Sequence, residues 1–337
     1  MQWVDALRGF SMLIVVFGHV LLSMGIGGYS SFLSSVLLTF RMPLFFFVSG
    51  FFSYRLISWW TKGRVLDILK RKIQAQVICA IAFMSVYQVV IFGGVNFSHG
   101  FGGYWFTIVL FQMYIVYLTL SLLSRLIHHN IVIPSLIVIS LAGIAILTLY
   151  SRDSRIWNFL CWENLSKYFQ FFTLGIISSK YRQKLFTILS NSVFTTAMIL
   201  GWIVCMLLWY NETFHAAYPL LYSFIHDIAV RYFALMTIIV MFYGARNTFE
   251  GNIGYGKTLK FIGRRTLDIY MIHYFLIPDM HCLTPWLTEG NMIVPQLVIG
   301  MIISIVIVAL CLLVSSILRS SKYLGQWLFG VKQKASI

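Results

Sequence analysis

Of the 337 residues, 59% are hydrophobic and only 10% are charged, and mean hydropathy is +0.84. A water-soluble domain of this length has no way to hide so much apolar surface, so the composition points to an all-α, polytopic membrane protein. The net charge of +15 does not indicate a nucleic-acid partner, because the basic residues sit in short clusters between apolar runs.

A hydrocarbon core of about 30 Å takes roughly 20 helical residues. By that measure the chain offers about ten spans, near 8–26, 32–54, 73–95, 104–126, 131–150, 160–179, 193–210, 218–245, 259–278 and 293–318. The first has no small-residue cleavage site and continues to about Met24, so it reads as a span rather than a removable signal. The sixth is the weakest, since Glu163, Asn164 and Lys167 interrupt its start. No internal repeat or low-complexity tract divides the chain, which reads as one integral-membrane domain over 1–337.

The loops between spans carry unequal charge. Placing the N-terminus in the cytoplasm puts Arg55, Lys62, Arg64, Lys70, Arg71 and Lys72 inside, followed by Arg125, then Lys180, Arg182 and Lys184. Arg246, Lys257, Lys260, Arg264 and Arg265, then Arg319, Lys322, Lys332 and Lys334, also fall inward. Outward segments keep only Arg152, Arg155 and Lys167. That asymmetry predicts cytoplasmic N- and C-termini. Cys79, Cys161, Cys205, Cys282 and Cys311 show no metal or disulfide spacing; Cys161 and Cys282 both fall outward and could pair, although scattered cysteines ordinarily stay free.

Polar residues at membrane depth are costly and therefore informative. In "RGFSMLIVVFGH" (8–19), eleven helical steps place His19 on the face of Arg8 and about 16 Å deeper. Arg8 alone reads equally well as a snorkelling anchor at the inner interface. The second span carries "FRMPLFFFVSGFF" (40–52), where Arg41 lies about 13 Å from the outer edge, the same depth as His19. Pro43 removes a backbone donor, and Ser49 with Gly50 offers a hydroxyl and room for close approach.

Later spans extend the set. Asp227 and Arg231, spaced i, i+4 in "FIHDIAVRYF", can pair on one face, as a structural ion pair or as part of a catalytic one. In "GRRTLDIYMIHYF" the residues Thr266, Tyr270 and His273 share a stripe, with Asp268 facing elsewhere near the inner edge. Trp105 and Gln112 in the fourth span either line the same cavity or pack in the core. His99, His215 and His281 fall in outward loops and His128 and His129 in an inward one, where solvation suffices to explain them. No metal-ligand spacing, catalytic serine order or nucleotide fingerprint is present.

A neutral imidazole at mid-membrane can take a proton from a hydroxyl, and nearby guanidinium groups can hold an anionic donor or stabilise an oxyanion. Acyl transfer fits that set. A proton-coupled transporter or flippase uses similar buried groups and is the alternative, although the two halves of the chain show no repeat.

The stretches "WVDALRGFSMLIVVFGHV", "FRMPLFFFVSGFF", "GYWFTIVLFQMY" and "IGRRTLDIYMIHYF" resemble, in this order, segments of the membrane-bound acyltransferase-3 family, including its sugar O-acetylase branch. The resemblance implies a bacterial inner-membrane enzyme with about ten spans. It would move an acyl group, usually acetyl, from cytoplasmic acyl-coenzyme A to a hydroxyl of an extracytoplasmic or membrane-linked glycan, without a metal. It assigns catalysis to His19 and the coenzyme A side to Arg8. Some members have histidine before the Met-Pro pair where this chain has Arg41, which favours binding over proton transfer there. Arg41 and Asp227 complete the expected catalytic set; Ser49, Arg55 and Arg64 join Arg8 for the donor, and Trp105, Gln112, Arg231 and His273 serve the acceptor.

Overall fold

The computed structural model describes residues 1–27, 31–94, 101–149, 159–250, 254–288 and 293–329. His99, Arg152, Arg155, Lys332 and Lys334 lie outside the described residues. Among the described residues every regular element is helical, as the composition requires.

Helices α1 (Gln2–Ser23) and α2 (Phe32–Ser53) contain the two N-terminal motifs. Helix α3 (Lys62–Lys72) runs through a π-helical turn (Ile73–Ile78) into α4 (Cys79–Phe92). Next come α5 (Trp105–Leu126), α6 (Val132–Leu149), α7 (Trp162–Lys180) and α8 (Arg182–Leu189). They are followed by α9 (Ser192–Trp209), the short α10 (Glu212–Ala217) and α11 (Pro219–Phe224), a second π turn (Ile225–Ala229) and α12 (Val230–Gly244). The chain ends with α13 (Arg246–Glu250), α14 (Gly254–Arg264), α15 (Thr266–Leu276), α16 (Thr284–Thr288), α17 (Ile293–Ser320) and α18 (Lys322–Phe329).

Seven helical stretches are long and apolar enough to cross a bilayer: Gln2–Ser23, Phe32–Ser53, Gly63–Ile91, Gly102–Leu126, Ser192–Trp209, Pro219–Gly244 and Ile293–Ser320. Val193, Leu207, Val294, Ile302 and Ile317 on these helices are more than half exposed, which water would penalise and lipid does not. Three predicted spans differ. The run at 131–150 is helical over Val132–Leu149, with a shorter apolar part, Val132–Leu147. The run at 160–179 is the helix Trp162–Lys180, with Glu163 in its first turn. The run at 259–278 is not one helix: Arg265 closes α14 by an i→i−3 bond to the Ile262 carbonyl (2.9 Å), and α15 starts afresh at Thr266. Eleven residues of α15 rise about 16 Å, half the hydrocarbon core. The third run also begins earlier than predicted, so Arg64, Lys70, Arg71 and Lys72 lie on a helix rather than in a loop.

The chain divides into two compact units. The first comprises Met1–Val48, Tyr181–Thr266 and Ile277–Val308. Its centre is α1, whose Leu7, Met12, Val16, Phe17, Val20 and Leu21 are sealed from solvent. α1 packs along α14, and the crossing is set by two glycines. A Cβ on Gly9 would overlap the Leu259 carbonyl oxygen, and one on Gly263 would overlap that of Asp5. Small residues let two backbones meet where helices have no water to exclude. The second unit comprises Ser49–Lys180, Leu267–Leu276 and Ala309–Ile337. There α6 lies on α7, joined by the Ser140 hydroxyl donating to Thr173 Oγ1 at 3.0 Å. Gly50 meets the Phe172 carbonyl so closely that no Cβ fits between, the close approach its position suggested.

Candidate functional site

In the first unit, Arg8 and His19 lie eleven residues apart on one uninterrupted helix, both half-buried. Arg8 adjoins Gly9, so it sits where α1 and α14 touch. The same end of α1 is held by Lys260, a buried lysine whose ammonium donates to Gln2 Oε1 (2.7 Å) and to the Phe249 carbonyl (2.9 Å). Trp3, packed edge-on against Phe186 and Tyr243, fills the gap beside it.

The opposite end of α1 is closed by a segment from far along the chain. The Met280 amide donates to the Ser23 carbonyl (3.1 Å) and the Thr284 hydroxyl to that of Met24 (2.6 Å). These bonds satisfy two of the carbonyls that every helix end leaves open.

Between the two ends, α2 brings Arg41 onto α1. Its guanidinium occupies the space over Gly18 that a side chain there would need. Gly18 directly precedes His19, so a cation from α2 meets α1 at the level of the histidine, as matched depths in the sequence suggested. Helix α2 continues without a break through Pro43.

Asp227 and Arg231 form the expected i, i+4 pair, with Arg231 Nη2 3.5 Å from Asp227 Oδ1. Arg231 also donates to the Asp227 carbonyl (2.6 Å), and Asp227 Oδ1 lies 3.1 Å from His226 Nδ1. Arg231 is buried while the Asp227 carboxylate is half-exposed. A π turn holds His226 and Asp227, and the ring of His226 rests edge-on to Trp209 at 4.4 Å. The neighbouring His226 was not anticipated; it meets Asp227 and Tyr222 locally and Trp209 from another helix. His215, read as solvated, is exposed but stacks on Tyr222 at 4.0 Å.

The remaining expected residues belong to the second unit. His273 is fully buried; its Nδ1 lies 2.8 Å from the Tyr270 carbonyl and 3.1 Å from that of Ile269. Carbonyls only accept, so this assignment puts the proton on Nδ1. Tyr274 packs on the imidazole (4.1 Å), and the Tyr270 and Tyr274 hydroxyls both donate to the Gly103 carbonyl (2.6 and 3.1 Å). Tyr104 completes the arrangement by donating to the Met271 carbonyl at 3.2 Å. Trp105 stacks on Tyr168, and the Gln112 amide donates to the Leu160 carbonyl (2.9 Å). Ser49 is half-buried and its carbonyl accepts from Ser53. Arg55 and Arg64 are exposed and share one ring, with Cζ atoms 5.7 and 5.4 Å from the centre of Trp59.

One strong ion pair was missed. Asp268 is buried and accepts two bonds from Arg319 (2.7 and 2.8 Å) and a third from the Ser315 hydroxyl. Arg319 stands 51 residues away and reads in sequence as a loop-edge charge, so no local pattern reveals the pairing. All five cysteines are free thiols, Cys161 and Cys282 included. Among the described residues no group of three or more His, Cys, Asp or Glu side chains is placed to hold a metal ion.

The arrangement around α1 is a histidine next to a backbone site covered by a guanidinium, with a second arginine toward the other end of the same helix. Such a set can remove a proton from a hydroxyl and steady the negative charge that follows. A family model described as an acyltransferase domain matches residues 1–315. No curated protein and no solved structure matches the chain.

Proposed function

We propose, from the premise that this chain belongs to the acyltransferase-3 family, that it carries an acyl group, acetyl above all, from cytoplasmic acyl-coenzyme A to a hydroxyl of an extracytoplasmic or membrane-linked glycan. Family membership makes it a membrane acyltransferase; donor, acceptor and residue roles are our reading. His19 is the general base. It takes the proton of the acceptor hydroxyl as that oxygen attacks the thioester carbonyl, and Arg41 stabilises the resulting oxyanion. Collapse expels the coenzyme A thiolate, which recovers the proton from the imidazolium.

The observation that carries this reading is the seat of Arg41 over Gly18, the residue before His19. Arg8 serves the donor side, with Arg55 and Arg64 for its phosphates and Ser49 as a hydroxyl contact. Arg231, Trp105, Gln112 and His273 are assigned to acceptor binding. Asp227 orients Arg231 and His226 through the pair it makes with each. The enzyme works as one integral domain of about ten spans in the bacterial inner membrane, both termini in the cytoplasm.

The purified chain, given radiolabelled acetyl-coenzyme A and envelope glycan, should label the glycan, and His19→Ala should cut labelling by 100-fold or more. Undiminished labelling in His19→Ala removes the base from His19. Uptake of glycan or protons by vesicles in the absence of any acyl donor would favour transport instead.

A further inference from the structure

A continuous line of rings crosses the first unit at the end where α9 gives way to α10. Phe32, at the start of α2, lies 5.6 Å from Tyr210, and Tyr210 stacks on Trp209 at 6.2 Å. Trp209 meets His226 edge-on at 4.4 Å, His226 faces Tyr222 at 5.9 Å, and Tyr222 stacks on His215 at 4.0 Å. The rings gather at one rim. Phe32 opens the stretch Phe32–Ser53, Trp209 closes Ser192–Trp209, and Tyr222 lies near the start of Pro219–Gly244. Phe32 and Tyr210 are each 49% exposed and His215 is exposed, so ring surface remains open to a ligand.

An ordinary interfacial belt sets Trp and Tyr at the level of the lipid headgroups. This line differs in having polar groups built into it: two imidazoles, and the Asp227 carboxylate, 54% exposed, 3.1 Å from His226 Nδ1. A π turn holds His226 and Asp227, an irregularity concentrated at functional sites. Charge sets it apart as well. The chain has no Lys or Arg between Lys184 and Arg231, Arg231 is buried, and Glu212 and Asp227 are exposed. Anionic headgroups are drawn to Lys and Arg clusters, so this rim does not suit them.

A hydroxyl-rich sugar matches the combination. One face of a pyranose carries C–H groups that rest on aromatic rings, and its edge carries hydroxyls that donate to a carboxylate and exchange hydrogen bonds with imidazole. We propose that the line from Phe32 to His215 is a docking platform for uncharged pyranose units of the acceptor glycan, flanking the unit that is acetylated. Trp209, Tyr210 and Tyr222 supply ring surface, and His226 and Asp227 bond the hydroxyls. Asp227 and Glu212 repel acidic sugars. The inference rests on the acceptor being a glycan, and adds how the enzyme selects it: by length and by absence of negative charge, read by rings that take no part in the proton transfer.

The test titrates the full chain in lipid nanodiscs, without acyl donor, with oligosaccharides cut from the envelope glycan and with the same oligosaccharides after their primary hydroxyls are oxidised to carboxylates. Tyr222→Leu and Tyr210→Ala should each weaken the uncharged oligosaccharide about fivefold to tenfold. In acetylation assays they should raise its KM by the same factor with kcat held, a split that misfolding does not produce. The oxidised form should bind the parent chain more weakly, and Asp227→Asn should narrow that gap. Tyr210 is exposed, so Tyr210→Ala decides the matter if Tyr222→Leu is not recovered. Parent-like oligosaccharide affinity in the ring variants overturns the platform while acetylation of glycan stands, and tighter binding of the oxidised form overturns it too. Loss of bound phospholipid with sugar affinity unchanged would make the rings an interfacial belt. A parent chain that acetylates no glycan refutes the acceptor assignment itself, and the platform with it.

Discussion

Arg41 and Gly18 occupy the same space by turns: the guanidinium lies where a side chain on Gly18 would have to go. Gly18→Ala therefore forces Arg41 to retract while leaving the imidazole of His19 chemically intact. Because the clash is with the far end of a flexible side chain, the protein should still fold and elute as the parent does. Misplacing the cation should lower kcat/KM for acetyl transfer about 100-fold. Full activity in Gly18→Ala would show that Arg41 has no part in the chemistry.

The Asp268–Arg319 pair predicts an asymmetry. Arg319→Met strands a buried carboxylate and should cost about 3–5 kcal/mol, whereas Asp268→Asn leaves a guanidinium that is 24% exposed and can reach water. Thermal unfolding in detergent should therefore rank Arg319→Met well below Asp268→Asn, with the double variant between them. Equal losses would mean that the pair is held in a more solvated state.

The tyrosines on Gly103 predict coupling. Tyr270→Phe or Tyr274→Phe alone leaves the Gly103 carbonyl one donor, at a cost of about 1 kcal/mol. Removing both leaves a half-buried acceptor with neither donor, so the double variant should lose more than the two single losses together. Strict additivity in denaturation midpoints would contradict a shared role.

Cys282 is the exposed thiol, whereas Cys79, Cys161, Cys205 and Cys311 are buried. The proposed topology, with both termini in the cytoplasm, puts Cys282 outward. A membrane-impermeant maleimide should label it on intact cells, and Cys282→Ser should abolish the signal. Labelling that needs permeabilised cells would invert the topology.

Much of this molecule was legible in its sequence because hydropathy and helical phase are local. The uninterrupted first helix with Arg8 and His19 on it follows from apolar length and a 100° step, and so does the Asp227–Arg231 pair. Matched depth brought Arg41 to the level of His19, since membrane thickness supplies a common ruler. What escaped was non-local. Asp268 finds Arg319, and Lys260 finds Gln2 and the Phe249 carbonyl, through contacts between separate elements that no periodic pattern encodes. The break at Arg265 was missed for another reason: the apolar run that follows Thr266 was extended back across Arg264 and Arg265 to reach span length, and only the backbone shows two helices.

Both ends of α1 are finished by residues made some 260 positions later. Gln2 is held by Lys260 and Met24 by Thr284, at sequence separations of 258 and 260. A chain cut short before these residues therefore carries the histidine without the frame that positions it. Acyl transfer should appear only in chains that extend past Thr284.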